Sequence, residues 1–286
     1  MIITETIEQT REIVAQARRE GKKIGCVPTM GALHEGHVAL IRRCCGECDF
    51  SVVTIFVNPT QFGPAEDLEC YPITFESDCE ACRKEGVDLI FAPSVTQMYP
   101  QQNLTWVNVD KLGEHLCGAS RPMFFRGVCT VVAKLFNIVG PEVAYFGQKD
   151  AQQLAIIKRM VADLNIPVEI RPCPTVREAD GLAMSSRNRY LNPEQRRQAL
   201  CLFEALNRGV QLVISGQRDS SAIIAAMQEV IKRWPLARID YISIVDSELL
   251  QPVAHLDRPC LIALAVHIGS ARLIDNILVD PPGGRK

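Results

Sequence analysis

The sequence has no charge surplus, no basic block, no long apolar run and neither of the usual glycine-rich phosphate signatures. Its 31 Lys and Arg stand against 33 Asp and Glu, a net charge of −2. Binding nucleic acid by neutralising phosphates needs a basic face, so no nucleic-acid partner is expected. No stretch of about 18 uninterrupted apolar residues occurs, so no membrane-spanning helix is expected either. The opening Met1-Ile2-Ile3-Thr4-Glu5 carries an acid early and no apolar run before a cleavage site, and does not read as a signal peptide. Both G-x-x-x-x-G-K-[ST] and G-x-G-x-x-G are missing, and there is no internal repeat or low-complexity tract.

What is present is an ordinary globular mixture, 47% hydrophobic and 22% charged over 286 residues. That length implies one large domain or two modest ones. The unusual count is twelve cysteines, about 4% of the chain, where a disulfide scaffold would be short, secreted and denser. The expectation is a cytoplasmic protein with reduced thiols. Cys45-Gly46-Glu47-Cys48 and Cys79-Glu80-Ala81-Cys82 have a spacing used for zinc or redox work, and a thiol-based binding module is the reading from a different class. Both pairs fall late in expected helices, so packing is the simpler account.

Residues 1–175 alternate between helical and strand periods. Helices are expected at 5–20, 36–47, 74–85, 127–139 and 150–164, and strands at 22–27, 50–57, 87–91, 142–146 and 168–172, with a further strand at 105–109. Apolar strands alternating with amphipathic helices give a Rossmann-like, doubly wound parallel sheet, an α/β fold. From 176 to 286 the pattern becomes helices followed by strands. Asn192-Pro193 opens a long helix to about Ile214, Ser220 or Ser221 opens another, and strands follow at 238–246, 260–268 and 271–279. This is a smaller α+β C-terminal domain.

An open parallel sheet binds ligands beyond the carboxyl ends of its strands, and three loops there carry polar clusters. Pro28-Thr29-Met30-Gly31-Ala32-Leu33-His34-Glu35-Gly36-His37 places two of five histidines at a strand-to-helix turn. A helix start offers N–H groups and a positive dipole end to phosphate, and imidazoles there can donate to its oxygens. A metal pair or a structural turn is the plainer alternative. Asn58-Pro59-Thr60-Gln61-Phe62 brings two neutral amides suited to hydroxyls and carboxylates, or is a simple turn. Phe146-Gly147-Gln148-Lys149-Asp150 puts a lysine at a strand end, with Gln153 four residues on and expected on the same helix face. Downstream, Met184-Ser185-Ser186-Arg187 groups hydroxyls and a guanidinium suited to a triphosphate.

Together these four segments, with Ala271–Asn276 near the end, resemble the pantothenate synthetase (pantoate–β-alanine ligase) family. That family belongs to the nucleotidyltransferase superfamily with the His-x-Gly-His signature. The resemblance runs from about residue 2 to residue 279. It implies that ATP and pantoate form pantoyl adenylate with Mg²⁺, and that β-alanine then displaces AMP. By position, it implies that His34 and His37 meet the ATP phosphates, with His37 a proton donor. Lys149 would meet α-phosphate charge, Ser185, Ser186 and Arg187 the outer phosphates, and Asp150 the Mg²⁺ or the ribose. Gly31, Ala32, Leu33, Glu35, Gly36, Gly147, Gln148, Val176 and Met184 would border the nucleotide. Gln61 and Gln153 would hold the pantoate hydroxyls, with Met30 and Asn58 beside them. A homodimer is also implied. The chain departs from the family pattern at Thr60, Ile73, Gln148, Ala151 and Phe124-Phe125, where a histidine is usual in the last pair. The alternative within the superfamily joins a nucleotide to a phosphorylated acceptor, which would call for a cationic pocket around Asn58 and Gln61.

Overall fold

A computed structural model describes residues 1–64 and 68–281, so residues 65–67 of the loop 58–72 and residues 282–286 of the C-terminal domain lie outside it. In chain order the elements are β1 (Ile2–Thr4), α1 (Ile7–Arg19), β2 (Ile24–Thr29), α2 (Glu35–Glu47), β3 (Phe50–Ile55), α3 (Phe75–Lys84), β4 (Leu89–Phe91), α4 (Val95–Met98), α5 (Cys117–Ser120), α6 (Phe124–Val139), β5 (Val143–Gly147), α7 (Ala151–Asp163), β6 (Glu169–Cys173), α8 (Pro193–Gln198), α9 (Cys201–Ile214), α10 (Ser220–Ile231), β7 (Ala237–Asp246), β8 (Cys260–Ile268) and β9 (Ala271–Val279). They form two compact units. The first comprises Met1–Asp110, Arg121–Gln148 and Ile156–Pro174; the second comprises Lys111–Ser120, Lys149–Ala155 and Thr175–Lys286.

The first unit is built on a six-stranded sheet in the order β1-β4-β3-β2-β5-β6, every pair parallel. The chain steps outward from β2 through β3 to β4, then restarts on the other side of β2 with β5 and β6. The strand order therefore reverses between β2 and β5, where a ligand crevice forms in such sheets. Val27, Ile41, Val53, Ile90 and Tyr145 are fully buried in one core cluster of this unit.

β2 runs through Pro28 to Thr29, two residues past its expected end. The backbone oxygen of Thr29 bonds Phe56 and that of Ile24 bonds Glu142, so even-numbered β2 residues face β5. Pairing with β5 covers only Gly25 and Cys26, so the N–H that Pro28 lacks falls beyond the ladder. β1, three residues at the sheet edge, was not expected. The expected strand at 105–109 does not form: the Val107 N–H bonds the Thr130 hydroxyl at 3.1 Å and joins no ladder.

Most thiols of this unit are core, while Cys45 and Cys48 are half-buried and Cys70 is exposed. Burial alone pushes Cys26 and Cys129 up to about 12, and burial is the main reason Cys82 rises as far, which keeps all three protonated and unreactive at neutral pH. Among the described residues no group of three His, Cys, Asp or Glu is placed to hold a metal, and no helix is long and apolar enough to cross a membrane.

The second unit packs α9 and α10 on an antiparallel sheet in the order β7-β8-β9. Leu202, Leu206, Met227, Ile262 and Leu264 centre its core. The expected single helix from 193 to 214 is two helices. The Leu200 N–H reaches back only to Arg197 and that of Leu202 only to Ala199, so i→i+3 bonds interrupt the ladder. α10 is capped one residue earlier than expected, by Asp219, whose carboxylate accepts the Ala222 N–H at 3.0 Å.

Candidate active site

In the first unit the candidate residues begin at the carboxyl end of β2. The Thr29 hydroxyl donates to the Thr54 oxygen at 2.7 Å and accepts the Gly31 N–H at 3.2 Å, which bends the chain out of the sheet. Gly31 has φ +80° and Ala32 φ +50°, both in the left-handed region. A Cβ on Gly31 would stand 2.9 Å from an Asp78 carboxylate oxygen, so space as well as conformation demands glycine here. The Ala32 and Leu33 N–H groups donate to that same carboxylate at 2.9 and 2.8 Å.

His34 then caps α2. Its Nδ1 accepts the Gly36 N–H at 3.1 Å, while His37 Nδ1 accepts the His34 N–H at 3.4 Å. The two rings lie 4.1 Å apart between centroids. A nitrogen that accepts carries no hydrogen, so both imidazoles are the Nε2–H tautomer when neutral. The sequence suggested N–H groups waiting for phosphate at this helix start. In the structure those of Ala32, Leu33, His34 and Gly36 are already engaged by Asp78 and the imidazoles. Glu35 is exposed and Gly36 half-buried.

The 59–61 turn after β3 supplies the amides. Gln61, 7% exposed, donates from Nε2 to Met30 Sδ at 2.9 Å and accepts at Oε1 from Asn58 Nδ2 at 3.1 Å. Asn58 is 1% exposed and wholly occupied within the fold. Its Nδ2 also donates to the Gly127 oxygen at 3.2 Å, and its Oδ1 accepts from the Thr60 and Tyr99 hydroxyls, each at 3.0 Å. Burial holds the Tyr99 phenol above its ordinary range, so it stays a donor. Gly127 of α6 packs so tightly on the Thr60 backbone that no Cβ fits. At the departure in α6, the Arg121 guanidinium lies 3.7 Å from the Phe124 ring centroid. Half-buried Gly147 ends this unit's strand β5, and half-buried Gln148 opens the 3₁₀ turn that follows.

In the second unit the candidate residues are fastened by β9. Lys149 lies in a 3₁₀ turn before α7, so it does not share a helix face with Gln153 as the spacing implied. The Lys149 backbone oxygen accepts from Asn276 Nδ2 at 2.7 Å. Neighbouring Asp275, 2% exposed, grips Arg177 through two bonds of 2.6 and 3.0 Å. Arg177 lies in a hairpin in which the Met184 N–H bonds the Val176 oxygen at 3.0 Å, bringing those two expected residues together. Gly181 turns the hairpin at φ +97° with the Phe203 ring against it. Ser185 starts the next turn by accepting the Arg187 N–H at 3.3 Å. Ser186, Arg187 and Gln153 are half-buried, and Asp150 is exposed.

Sequence reasoning assigned no role to four residues that do the holding. Asp78 is an acid on the buried stripe of α3 beside Cys79 and Cys82, a mismatch that signals a partner. Asp275 lies in the Ala271–Asn276 segment but had no role read from it, Arg177 carries no motif, and only their pairing explains them. Gln152, beside the expected Gln153, is the buried amide, anchoring segment 111–120 through Leu112, His115 and Cys117.

A parallel sheet that reverses order between β2 and β5, with a histidine-capped helix at that point, defines a Rossmann-like nucleotide-binding α/β enzyme. Comparison with known proteins narrows the class. The pantoate-beta-alanine ligase family model matches residues 2–278. A pantothenate synthetase of Thermoanaerobacter sp. (strain X514) is 54% identical over 278 residues, 97% of this chain and 98% of that protein. The crystal structure of pantothenate synthetase from Thermus thermophilus superposes with a TM-score of 0.92 at 44% identity, covering 97% of this chain and 99% of that one. Pantoate-beta-alanine ligase from Francisella tularensis, complexed with beta-gamma ATP and beta-alanine, superposes with a TM-score of 0.80 at 36% identity, covering 97% of each chain. The chain belongs to the pantoate-beta-alanine ligase family.

Proposed function

We propose that this protein joins pantoate and β-alanine into pantothenate at the expense of ATP, through pantoyl adenylate. A pantoate carboxylate oxygen attacks the α-phosphorus and pyrophosphate leaves; the β-alanine amine then attacks the acyl carbon and AMP leaves. Both steps need positioning and charge stabilisation rather than a covalent nucleophile. Family membership supports the reaction. The observation that carries the residue assignment is the His34–His37 pair, whose Nδ1 atoms are tied to backbone so that each ring holds its hydrogen at Nε2.

In this reading the two imidazoles donate to the ATP phosphates, with His37 giving a proton toward the departing pyrophosphate. Gly31, Ala32, Leu33, Glu35, Gly36, Gly147 and Gln148 border the nucleotide, with Ala32 and Leu33 giving shape because their N–H groups are spent on Asp78. Gln61 and Met30 meet pantoate, and Asn58 acts by holding Gln61. From the second unit, Lys149 meets α-phosphate charge, and Ser185, Ser186 and Arg187 meet the outer phosphates. Val176 and Met184 border the base, and Gln153 binds a pantoate hydroxyl. Among the described residues no carboxylate pairs with Lys149 Nζ, which leaves its charge for a ligand.

Exposed Asp150 offers one carboxylate, and a cation that retains waters and takes phosphate oxygens requires no more from the protein. Mg²⁺ held there with the triphosphate would neutralise phosphate charge. The proposal includes a cytoplasmic setting, which suits twelve cysteines that form no disulfide, and a homodimer, for which light scattering should give twice the 31.8 kDa of one chain. The test of the reaction is AMP release, which should require ATP, pantoate and β-alanine together. AMP formed with either acid omitted would count against it.

A further inference from the structure

We propose that Asp78 is a positioning residue: its buried carboxylate fills the amide concavity of the β2–α2 turn and thereby sets both histidine rings before substrate binds. The inference rests on the ligase reading and deepens it. Consecutive residues with positive φ, Gly31 and Ala32, turn successive N–H groups toward one side, a geometry that ordinarily receives an anion from a ligand. Here the chain supplies its own. The Ala32 and Leu33 N–H groups lie 2.9 and 2.8 Å from the two Asp78 oxygens, and the Thr74 hydroxyl donates to one of them at 3.1 Å. Asp78 is 2% exposed, so water does not compete for these bonds.

The next residue after Leu33 is His34, whose N–H fixes the His37 ring and whose own ring fixes Gly36. A shift at Ala32 and Leu33 is therefore passed to both imidazoles. Displacing a reacting group by about 1 Å costs on the order of 10² in rate. Ala32 has no glycine-like freedom at φ +50°, so the anchoring carboxylate is what keeps it there. A cavity of about 270 Å³, lined by Met30, Gly31, Ile55, Thr74, Phe75 and Asp78 among others, reaches this carboxylate. Through it, a small carboxylate could fill the space left by truncation.

The test compares wild type with Asp78→Ala and Asp78→Asn, reading pyrophosphate release, pantoate KM and thermal unfolding, with and without formate. Asp78→Ala should lose about 10² in kcat while pantoate KM moves less than about threefold. Formate should restore at least about tenfold in that variant and leave wild type unchanged, whereas chloride at equal ionic strength should do neither. Asp78→Asn offers one accepting oxygen for two N–H groups and should fall between. A folded Asp78→Ala with wild-type kcat, or a loss that formate does not touch, overturns the proposal. If Asp78→Ala does not fold, Asp78→Asn decides: a wild-type kcat overturns it, a lowered kcat at constant KM supports it. A wild type that makes no AMP refutes the ligase reading instead. The role of Asp78 is then read from the His34 and His37 ring signals in NMR, which should shift in Asp78→Ala and return with formate; signals unmoved by the substitution overturn it.

Discussion

Replacing Asp275 by leucine should destabilise the second unit sharply, while replacing Arg177 by methionine at the same time should remove most of that loss. The Asp275 side chain is 1% exposed and that of Arg177 23%, so the bidentate pair sits largely out of water. Removing one partner of a buried pair costs about 3–5 kcal/mol, chiefly because the other charge is left unpaired. Arg177 would keep the Gly181 oxygen at 3.0 Å and the Phe203 face at 5.0 Å, and some water reaches it. The expected cost is therefore nearer 2–3 kcal/mol, roughly a 5–10 °C fall in Tm for a chain of this size. The double variant replaces charge with apolar volume and should cost only about 1 kcal/mol. Thermal and urea unfolding of the two single variants and the double variant give the coupling directly. Asp275→Leu within about 0.5 kcal/mol of wild type, or single costs that simply add, would refute the reasoning. AMP formation should fall with stability in the single variant, since the pair holds the hairpin of Val176 and Met184.

Lys149→Ala should cut turnover by about 10²–10³ with unchanged unfolding, because only the lysine's backbone oxygen is used by Asn276. Steady-state kinetics beside a melting curve checks both halves of that statement. Gln153→Ala should raise pantoate KM well above any change in ATP KM, and equal effects would remove Gln153 from the pantoate site. Glu47 should add an acid-sensitive contribution to stability. Its hydrogen bond with Arg43 is the main reason its carboxyl titrates below the ordinary range, with Tyr145 and Arg171 adding to it. A depressed carboxyl stabilises above the unfolded-state pKa of about 4.3 and loses that contribution as pH falls through its folded value. Glu47→Gln should accordingly narrow the stability gap between pH 7 and pH 3, as read by urea unfolding at the two values.

Local pattern carried much of the architecture. β3 reads as a strand because a largely apolar run from Phe50 to Val57 lies between Asp49 and Asn58, although the strand itself ends at Ile55, and β7, β8 and β9 appear within one residue of their expected limits. β1 was illegible because three residues show no period, and it exists only through its pairing with β4. The break between α8 and α9 was hidden because apolar spacing continues across Ala199 and Leu200. The candidate site divides the same way. Its three loops were visible because they follow strands and concentrate polar residues. Asp78 and Asp275 were not, since their partners lie 46 and 98 residues away and only the fold brings them together.

The central claim is that pantoate is activated as an acyl adenylate, with its carboxylate oxygen bonded to the α-phosphorus. Pantoate labelled with ¹⁸O in the carboxylate, incubated with the protein, ATP, Mg²⁺ and β-alanine, tests this by mass spectrometry of the products. The account predicts one ¹⁸O in each AMP and none in pyrophosphate. Unlabelled AMP, or label in inorganic phosphate with ADP as the nucleotide product, would contradict it.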